Sequence, residues 1–362
     1  MQVHLVHPSQ LGPGEISAWH EMQRATPSLS NPFLSPEFAV AVGRFRPESR
    51  VAVLTDCQSI LGFFPFEKRQ LGMGVPISGW LSPCQGLVHA PEAEWDPHEL
   101  LRGCQLTAWQ FDNLIHSQRP FTPFHACTDP APIIDLSGGF EAYYAALRAK
   151  APHFCRELER KARKLDREVG ELHATSTSQD VGALRTLIAW KSDQYRKTNH
   201  VNRFEQPWLA DLLETLLGIK TDYLSSALSV LYSGDQPVAA QFGLRSESVV
   251  VGWFTGYDTK YGKYSPGLIQ LMRLAEDIAA TGATTIHMGK GARKYTQTVK
   301  TGDVFVSQGI VTDRSVLGNA HRVRSAIARW ALLSARRYPV LHDTADTILR
   351  HTGVSSRTYG RV

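Results

Sequence analysis

The sequence predicts an α/β protein of two similar lobes, each a mixed β-sheet flanked by helices, followed by a C-terminal helical extension. Three observations carry this. The chain has 362 residues, more than one hydrophobic core organises, since single cores stop growing near about 250 residues. Its composition, 43% hydrophobic and 20% charged, is that of a folded chain. The third observation is a repeat: "VAVLTDCQSILGFFPFEKR" (51–69) and "LSVLYSGDQPVAAQFGLRS" (228–246), about 180 residues apart, each read as strand, short polar turn and Phe-containing strand. Both are β-hairpins by pattern.

The elements follow in order. The N-terminus, "MQVHLVHPSQLGPG", has no basic segment leading into an apolar one, and no apolar run approaches the ~18 residues that span a bilayer, so a cytoplasmic protein without a transmembrane segment is expected. Helical spacing appears in "GEISAWHEMQRAT" and in "SPEFAVAVGRF", where Ser35 can cap and Pro36 can take the first helical position. Strand candidates separated by Pro and Gly then run to "PAPIIDLSGG", which sets a first lobe at 1–138. A second lobe, 139–315, opens with "FEAYYAALRAK" and "PHFCRELERKARKLDREVG". In the latter, Phe154, Leu158, Ala162, Leu165 and Val169 share one helical face. The helix "DVGALRTLIAWKSDQYRKT", the second hairpin and the strands "SVVVGWFTGYD" and "TTIHMG" complete the lobe. Residues 316–362 form a basic helical extension carrying Arg322, Arg324, Arg329, Arg336 and Arg337. That helix either packs through Val323, Ile327, Trp330 and Leu333 or offers a binding surface.

The net charge of +5 is mild and does not imply nucleic acid. Its placement is more telling, because eight basic residues lie between Arg148 and Arg167. They either solvate an amphipathic helix or face a phosphate or carboxylate. Five cysteines (Cys57, Cys84, Cys104, Cys127, Cys155) lack paired spacing and read as reduced, mostly buried thiols. No H-E-x-x-H or Cys/His cluster with zinc spacing occurs, so no metal is expected. There is no G-x-S-x-G elbow and no G-x-x-x-x-G-K-[ST] loop, which removes hydrolase and nucleoside triphosphatase readings.

Residues 261–291, "YGKYSPGLIQLMRLAEDIAATGATTIHMGKG", hold the densest signal. Leu268, Leu271, Met272, Ala275 and Ile278 make a helical stripe, with Ser265 as N-cap, Pro266 in the first turn and Gly282 at the end. Gly256 and Gly262 loosen the link from the preceding strand. A helix N-terminus presents unpaired N–H groups and partial positive charge, and therefore binds phosphate. Gly267, lacking Cβ, admits a pyrophosphate to the backbone, and Lys260 and Lys263 add attraction.

"GDQPVAAQFGL", "GYDTKYGKYSPGLIQLMRLAEDIAATG" and "IHMGKGARKY" together resemble the acetyltransferase-like CelD/BcsL family of cellulose and exopolysaccharide biosynthesis, a branch of the GNAT superfamily close to the Fem-type aminoacyl transferases. The match covers roughly residues 140 to 305 and extends into "NPFLSPEFAVAVGRFRP" and "GFFPFEKR". The resemblance implies tandem GNAT-like lobes, with acetyl-CoA or another acyl-CoA as cosubstrate wedged between splayed parallel strands ending at Tyr257 and around His287. Tyr264, Ser265, Pro266, Gly267 and Leu268 then stand at the pyrophosphate-binding turn. The sequence departs from the family in three places. It lacks the fuller R-x-x-G-x-G turn, it has His287 where an Asp is usual, and it reads Tyr295-Thr296 where a Tyr-Lys pair is usual.

Acyl transfer to an amine needs an unprotonated nucleophile, a polarised carbonyl and a proton for the departing thiolate. His287, with a reference pKa of about 6.5, can serve as base, Tyr295 as acid, and Asp258 as a reserve base or acceptor contact. Trp190, Lys191, Gln194 and Tyr195 on one helix, with Lys290, can receive the acceptor, since aromatic faces stack on sugar rings. The leading expectation is an acyl-CoA-dependent N-acyltransferase acting on an amine of a saccharide or sugar-nucleotide precursor. Polysaccharide biosynthesis machinery is a possible partner and nucleic acid is not. The alternatives are a Fem-type aminoacyl-tRNA-dependent transferase and a non-catalytic GNAT-like binding protein.

Overall fold

A computed structural model describes residues 1–56, 59–291 and 294–337. The chain begins with β1 (Gln2–Val6), α1 (Pro13–Ala25), α2 (Pro36–Gly43), β2 (Ser49–Thr55), β3 (Ile60–Lys68), β4 (Met73–Pro76), β5 (Val88–His89), α3 (Pro97–Gly103), β6 (Ala108–Ile115) and β7 (His125–Asp135). It continues through α4 (Gly139–Lys150), α5 (Pro152–Val169), β8 (Leu172–Thr175), α6 (Val181–Lys197), α7 (Pro207–Leu217), β9 (Ser225–Ser233), β10 (Gln236–Arg245) and β11 (Val249–Tyr257). It closes with α8 (Pro266–Ala280), β12 (Thr285–His287), α9 (Lys294–Val299), β13 (Gly302–Thr312) and α10 (Val316–Arg337). Both expected hairpins form, as β2–β3 and β9–β10. Ser35 caps α2 as expected, its Oγ accepting from Phe38 N–H at 3.2 Å.

The described residues cluster into two compact units. The first comprises residues 1–26, 42–129 and 306 onward, and the second residues 27–41 and 130–305. The strand order in the first is β1-β2-β3-β4-β6-β13, with β5 on β3, and in the second it is β8-β9-β10-β11-β12-β7. The same order is therefore built twice, and in each one inner pair is parallel while the rest are antiparallel: β4 with β6, and β11 with β12. Both units are mixed α/β sheets flanked by helices, the predicted fold class.

These units do not divide at residues 138 and 315, where the sequence reading put the lobe limits. The reason is strand partnership, since each sheet ends on a strand from the other half of the sequence. β7 pairs with β12 through Ile133↔His287 and Ile134↔Ile286, whereas β13 pairs with β6 through Val311↔Trp109. Residues 27–41 join the second unit because Phe33 packs edge-on against Trp253 of β11, ring centroids 4.9 Å apart. α10 groups with the first unit, anchored where His321 Nε2 lies 3.3 Å from the Leu71 carbonyl and Arg322 donates to Thr312 Oγ1.

In the second unit, α8 buries Ile269, Leu271, Met272, Leu274, Ala275 and Ile278 against the sheet. α5 adds Leu158 and Leu165 to the same core, matching the stripe read from the sequence. Of the cysteines, Cys84, Cys104 and Cys155 are buried as expected, Cys127 is exposed, and Cys57 lies outside the described residues. Burial raises the Cys84 thiol to about 12, so it stays protonated and inert.

Candidate active site

β11 and β12 run parallel for three residue pairs only: Val249↔Thr285, Val250↔Ile286 and Val251↔His287. β12 ends there, while β11 continues to Tyr257 with only β10 as partner strand. A bulge sits at the parting point. Phe242↔Phe254 and Gly243↔Gly252 are successive pairs, which leaves Trp253 as the extra residue. An extra residue bends its strand and increases its twist. From Gly252 to Tyr257, one edge of β11 thus presents backbone groups with no sheet partner among the described residues.

At the far end of that edge lies the start of α8. The sequence reading expects Ser265 to cap this helix with its side chain, and the structure corrects that. Ser265 sits in the left-handed region (φ 57, ψ 50), and its hydroxyl makes no capping bond. Such a conformation costs a non-glycine residue on the order of 1 kcal/mol and persists only where surroundings impose it. Its carbonyl still accepts from Leu268 and Ile269 N–H, so the helix starts here. The Ser265 Oγ instead receives the Lys161 ammonium at 3.0 Å. The basic face of α5 therefore reaches the helix start, which supports the anion-facing alternative for at least this lysine. Pro266 has no N–H, and that of Gly267, at the second helical position, has no intrahelical acceptor. A Cβ on Gly267 would meet only the Tyr257 ring, at 3.8 Å, so the backbone here is approachable. No acidic residue occupies the first turn. Backbone N–H, hydroxyl, ammonium and the helix dipole converge, which is a donor set that suits a diphosphate.

The other predicted residues are more dispersed. Tyr257 is 42% exposed and flanks the glycine turn. Tyr264 is buried and donates from its hydroxyl to Glu168 at 2.7 Å, so its side chain anchors α5 rather than facing a ligand. That hydrogen bond, with the ammonium groups of Lys164 and Lys263 beyond it, holds the Glu168 carboxyl below the usual range. Leu268 packs on the core. Asp258 caps the short turn after β11, accepting from Lys260 N–H at 3.0 Å and pairing with the Lys260 ammonium at 3.0 Å. It is held as a structural residue. Gly256 does not loosen a link either. It lies in β11 because a Cβ would come within 3.0 Å of Leu187 Cδ1 and 3.4 Å of Trp190 Cβ.

His287 stands at the parting point, half-buried, and burial lowers its pKa to about 4. It is therefore neutral at pH 7, a weaker base than its reference value implies. Tyr295, in α9, is half-buried against the core of the unit, and Lys290 is exposed. Arg293 and the side chain of Lys294 lie outside the described residues.

α6 covers the opposite face of β11, as the Gly256 contacts with Leu187 and Trp190 require. Here Lys191 is 8% exposed, donates to Gln194 Oε1 at 2.9 Å and stands 5.3 Å from the Tyr195 ring centroid. Three of the five predicted acceptor residues thus form one group. Side chains alternate along β11, so Gly252, Thr255 and Tyr257 point to the α8 face and Phe254 and Gly256 to the α6 face. The unpaired edge beyond Val251 accordingly borders both faces.

Sequence reasoning missed one pair at this edge. Gln241 on β10 is 7% exposed and accepts from Thr255 Oγ1 at 3.3 Å. Its amide lies across Gly252, where a Cβ would fall 2.7 Å from Nε2. The available signal was a single amide within the apolar strand "PVAAQFGL". Among the described residues, no group of three His, Cys, Asp or Glu side chains stands where it could hold a metal ion.

Comparison with known proteins agrees with this geometry. Residues 152–297 match the family model described as acetyltransferase (GNAT) domain. The crystal structure of FemX aligns with TM-score 0.56 at 10% identity, over 88% of this chain and 99% of that one. A conserved protein of unknown function from Bacteroides thetaiotaomicron aligns with TM-score 0.54 at 13% identity, over 82% of this chain and 97% of that one. A tandem GNAT protein from the clavulanic acid biosynthesis pathway aligns more loosely, with TM-score 0.46 and 9% identity over 86% of this chain and 98% of that one. No curated protein matches the chain. Residues 152–297 thus match an acetyltransferase (GNAT) domain, and the open edge of β11 and the start of α8 both lie within the matched residues.

Proposed function

We propose that the second unit transfers an acyl group, acetyl in the simplest case, from coenzyme A to the amine of a small acceptor. The observation that carries this is the open edge of β11 beyond Val251, which ends at an uncapped helix start beside Lys161. The diphosphate rests against Gly267 N–H, Ser265 Oγ and Lys161 on the α8 face. The pantetheine arm lies along Gly252–Tyr257, and the thioester passes across that edge toward α6. Acceptors enter from the α6 face, where Trp190, Lys191, Gln194 and Tyr195 meet them. Aromatic and amide groups together suit an aminated sugar, and the resemblance to the CelD/BcsL family supports the same acceptor class.

The amine lone pair attacks the thioester carbonyl, forming the C–N bond, and collapse of the tetrahedral species breaks C–S and releases the thiolate. A His287 pKa of about 4 leaves the imidazole neutral and able to take a proton only once attack has made the nitrogen strongly acidic. The acceptor must therefore arrive unprotonated. Tyr295 supplies the proton to the thiolate. The expected rate of acceptor turnover rises with pH through the acceptor's own amine pKa, with no limb near 6.5. A limb near 6.5 that disappears in His287→Asn would instead make His287 an ordinary base.

Thiol release from acetyl-CoA in the presence of amino sugars tests the proposal directly. Release that requires the amino group, and stops with the corresponding hydroxyl sugars, is the expected result. A second reading is favoured by the FemX-like fold and by the exposed Arg156 and Arg163 of α5: an aminoacyl-tRNA donor. Salt-sensitive tRNA binding without thiol release would select it.

A further inference from the structure

Among the described residues, α10 is a long helix whose apolar stripe faces outward. Val316 is 86% exposed, Val323 58% and Ile327 46%. With Ala320 they fall at the i, i+4, i+7 and i+11 positions of one helical face. The opposite face holds the helix to the first unit through buried His321 and through Arg322, which donates to Thr312 Oγ1. Leu71, whose carbonyl receives His321, is itself 63% exposed beside this helix. The sequence from Arg314 to His342 contains six arginines and no aspartate or glutamate. An apolar stripe within a sequence rich in arginine and free of acid is the property of a helix that lies in a membrane interface. No helix of the described residues is long and apolar enough to cross a bilayer.

We propose that α10 rests its Val316–Ile327 stripe on the surface of an anionic phospholipid bilayer. Two features select this occupant over a protein. The stripe runs about 17 Å and, even with Leu317 and Leu71 beside it, is a handful of side chains, far less than the roughly 800 Å² per partner of a stable protein interface, whereas a bilayer needs only a few inserted side chains. A second copy would also bring six arginines against six with no acid between them, and like charges oppose such a pairing. An anionic headgroup layer attracts the same arginines within a Debye length of about 10 Å. Docking there would hold the transferase next to acceptors carried on lipid.

The full chain, mixed with vesicles of phosphatidylcholine containing phosphatidylglycerol, tests this by co-sedimentation. Binding is expected to these vesicles, to fall when salt is raised from about 0.1 M to about 1 M, and to be lost with phosphatidylcholine alone. Val323→Ser with Ile327→Ser should weaken it about tenfold, while Val323→Leu with Ile327→Leu should retain it. Both positions changed are exposed, so a retained melting temperature accompanies each variant. Failure to sediment with anionic vesicles, equal binding to both vesicle types, or a Ser pair that binds unchanged would each overturn the proposal. So would dimerisation that the Ser pair abolishes.

Discussion

The two places where parallel strands pair and then part are built in the same strand order and finished in opposite ways. In the second unit, β11 runs on past His287 with an open edge. In the first, β6 runs on past Trp109, the partner of Gly74, but its edge is taken. Gln85 bridges to Leu114, donating its N–H to Asn113 O at 3.0 Å and accepting from Ile115 N–H at 3.0 Å. The Gln85 side chain accepts from the N–H groups of Asp112 and Asn113, both at 3.0 Å. The helix starts differ likewise. Asp96 caps α3 with its carboxylate, accepting from His98 and Glu99 N–H at 2.9 and 3.0 Å, and Glu99 adds a second charge. α8 has no acid and a neighbouring lysine. One slot is filled by its own chain and guarded by anions, while the other is open and cationic. On the proposed reading the duplicated architecture therefore holds one coenzyme position, and the deciding residues are few.

The largest effect is expected at Gln85. It is 3% exposed, and its side chain accepts from two buried backbone N–H groups of β6 and donates to the Ser82 carbonyl and the Asp112 carboxylate, so Gln85→Ala should cost about 3 kcal/mol of stability. It should create no second coenzyme site, because Asp96 still caps α3. Denaturant unfolding and ligand stoichiometry read the two halves of this statement, and a second bound equivalent would break the comparison. Next is Lys161→Gln, which removes the one ammonium bonded to Ser265. Coenzyme affinity measured by titration should fall about tenfold with little change in melting temperature, because Lys161 is only part-buried. Asp96→Ala removes the cap of α3 and should cost about 1 kcal/mol, again without opening that slot.

At neutral pH the smallest effect belongs to His287. Its folded pKa of about 4 lies below the unfolded 6.5, so the unfolded chain binds the extra proton in that window. Stability therefore falls as pH drops from 6.5 toward 4, and His287→Asn should flatten that fall while leaving pH 7 unchanged. Denaturation midpoints across the window check it. The first unit carries buried Trp109 at the corresponding position, which does not titrate.

Much of the fold was legible because its signals are local. The hairpins, the α5 stripe and the Ser35 cap follow from spacing and turn residues. Strand partnership was not, since nothing in residues 125–135 says that β7 will lie beside β12, nor in 302–312 that β13 will lie beside β6. At the site, the helix start was found and its geometry was not. "SPG" announces a capped helix, but the left-handed Ser265 is imposed by the turn before it and by Lys161 from α5, a residue 104 positions away in sequence. Tyr264 and Gly256 were assigned ligand or hinge roles from their neighbourhood, and packing against Glu168 and Leu187 claims them. Gln241 was visible as a polar residue in an apolar strand, but its place across Gly252 depends on the bulge.

Calorimetric titration with acetyl-CoA, of the natural chain and of Gly267→Asp, tests the central claim most directly. Aspartate at the second position of a helix is favourable to the helix itself, so the variant should fold normally while its carboxylate meets the diphosphate. The account predicts one coenzyme per chain, a loss of roughly a hundredfold in affinity in the variant, and unchanged binding of S-acetylpantetheine, which has no diphosphate. Undiminished acetyl-CoA binding by Gly267→Asp, or two coenzymes per natural chain, would contradict it.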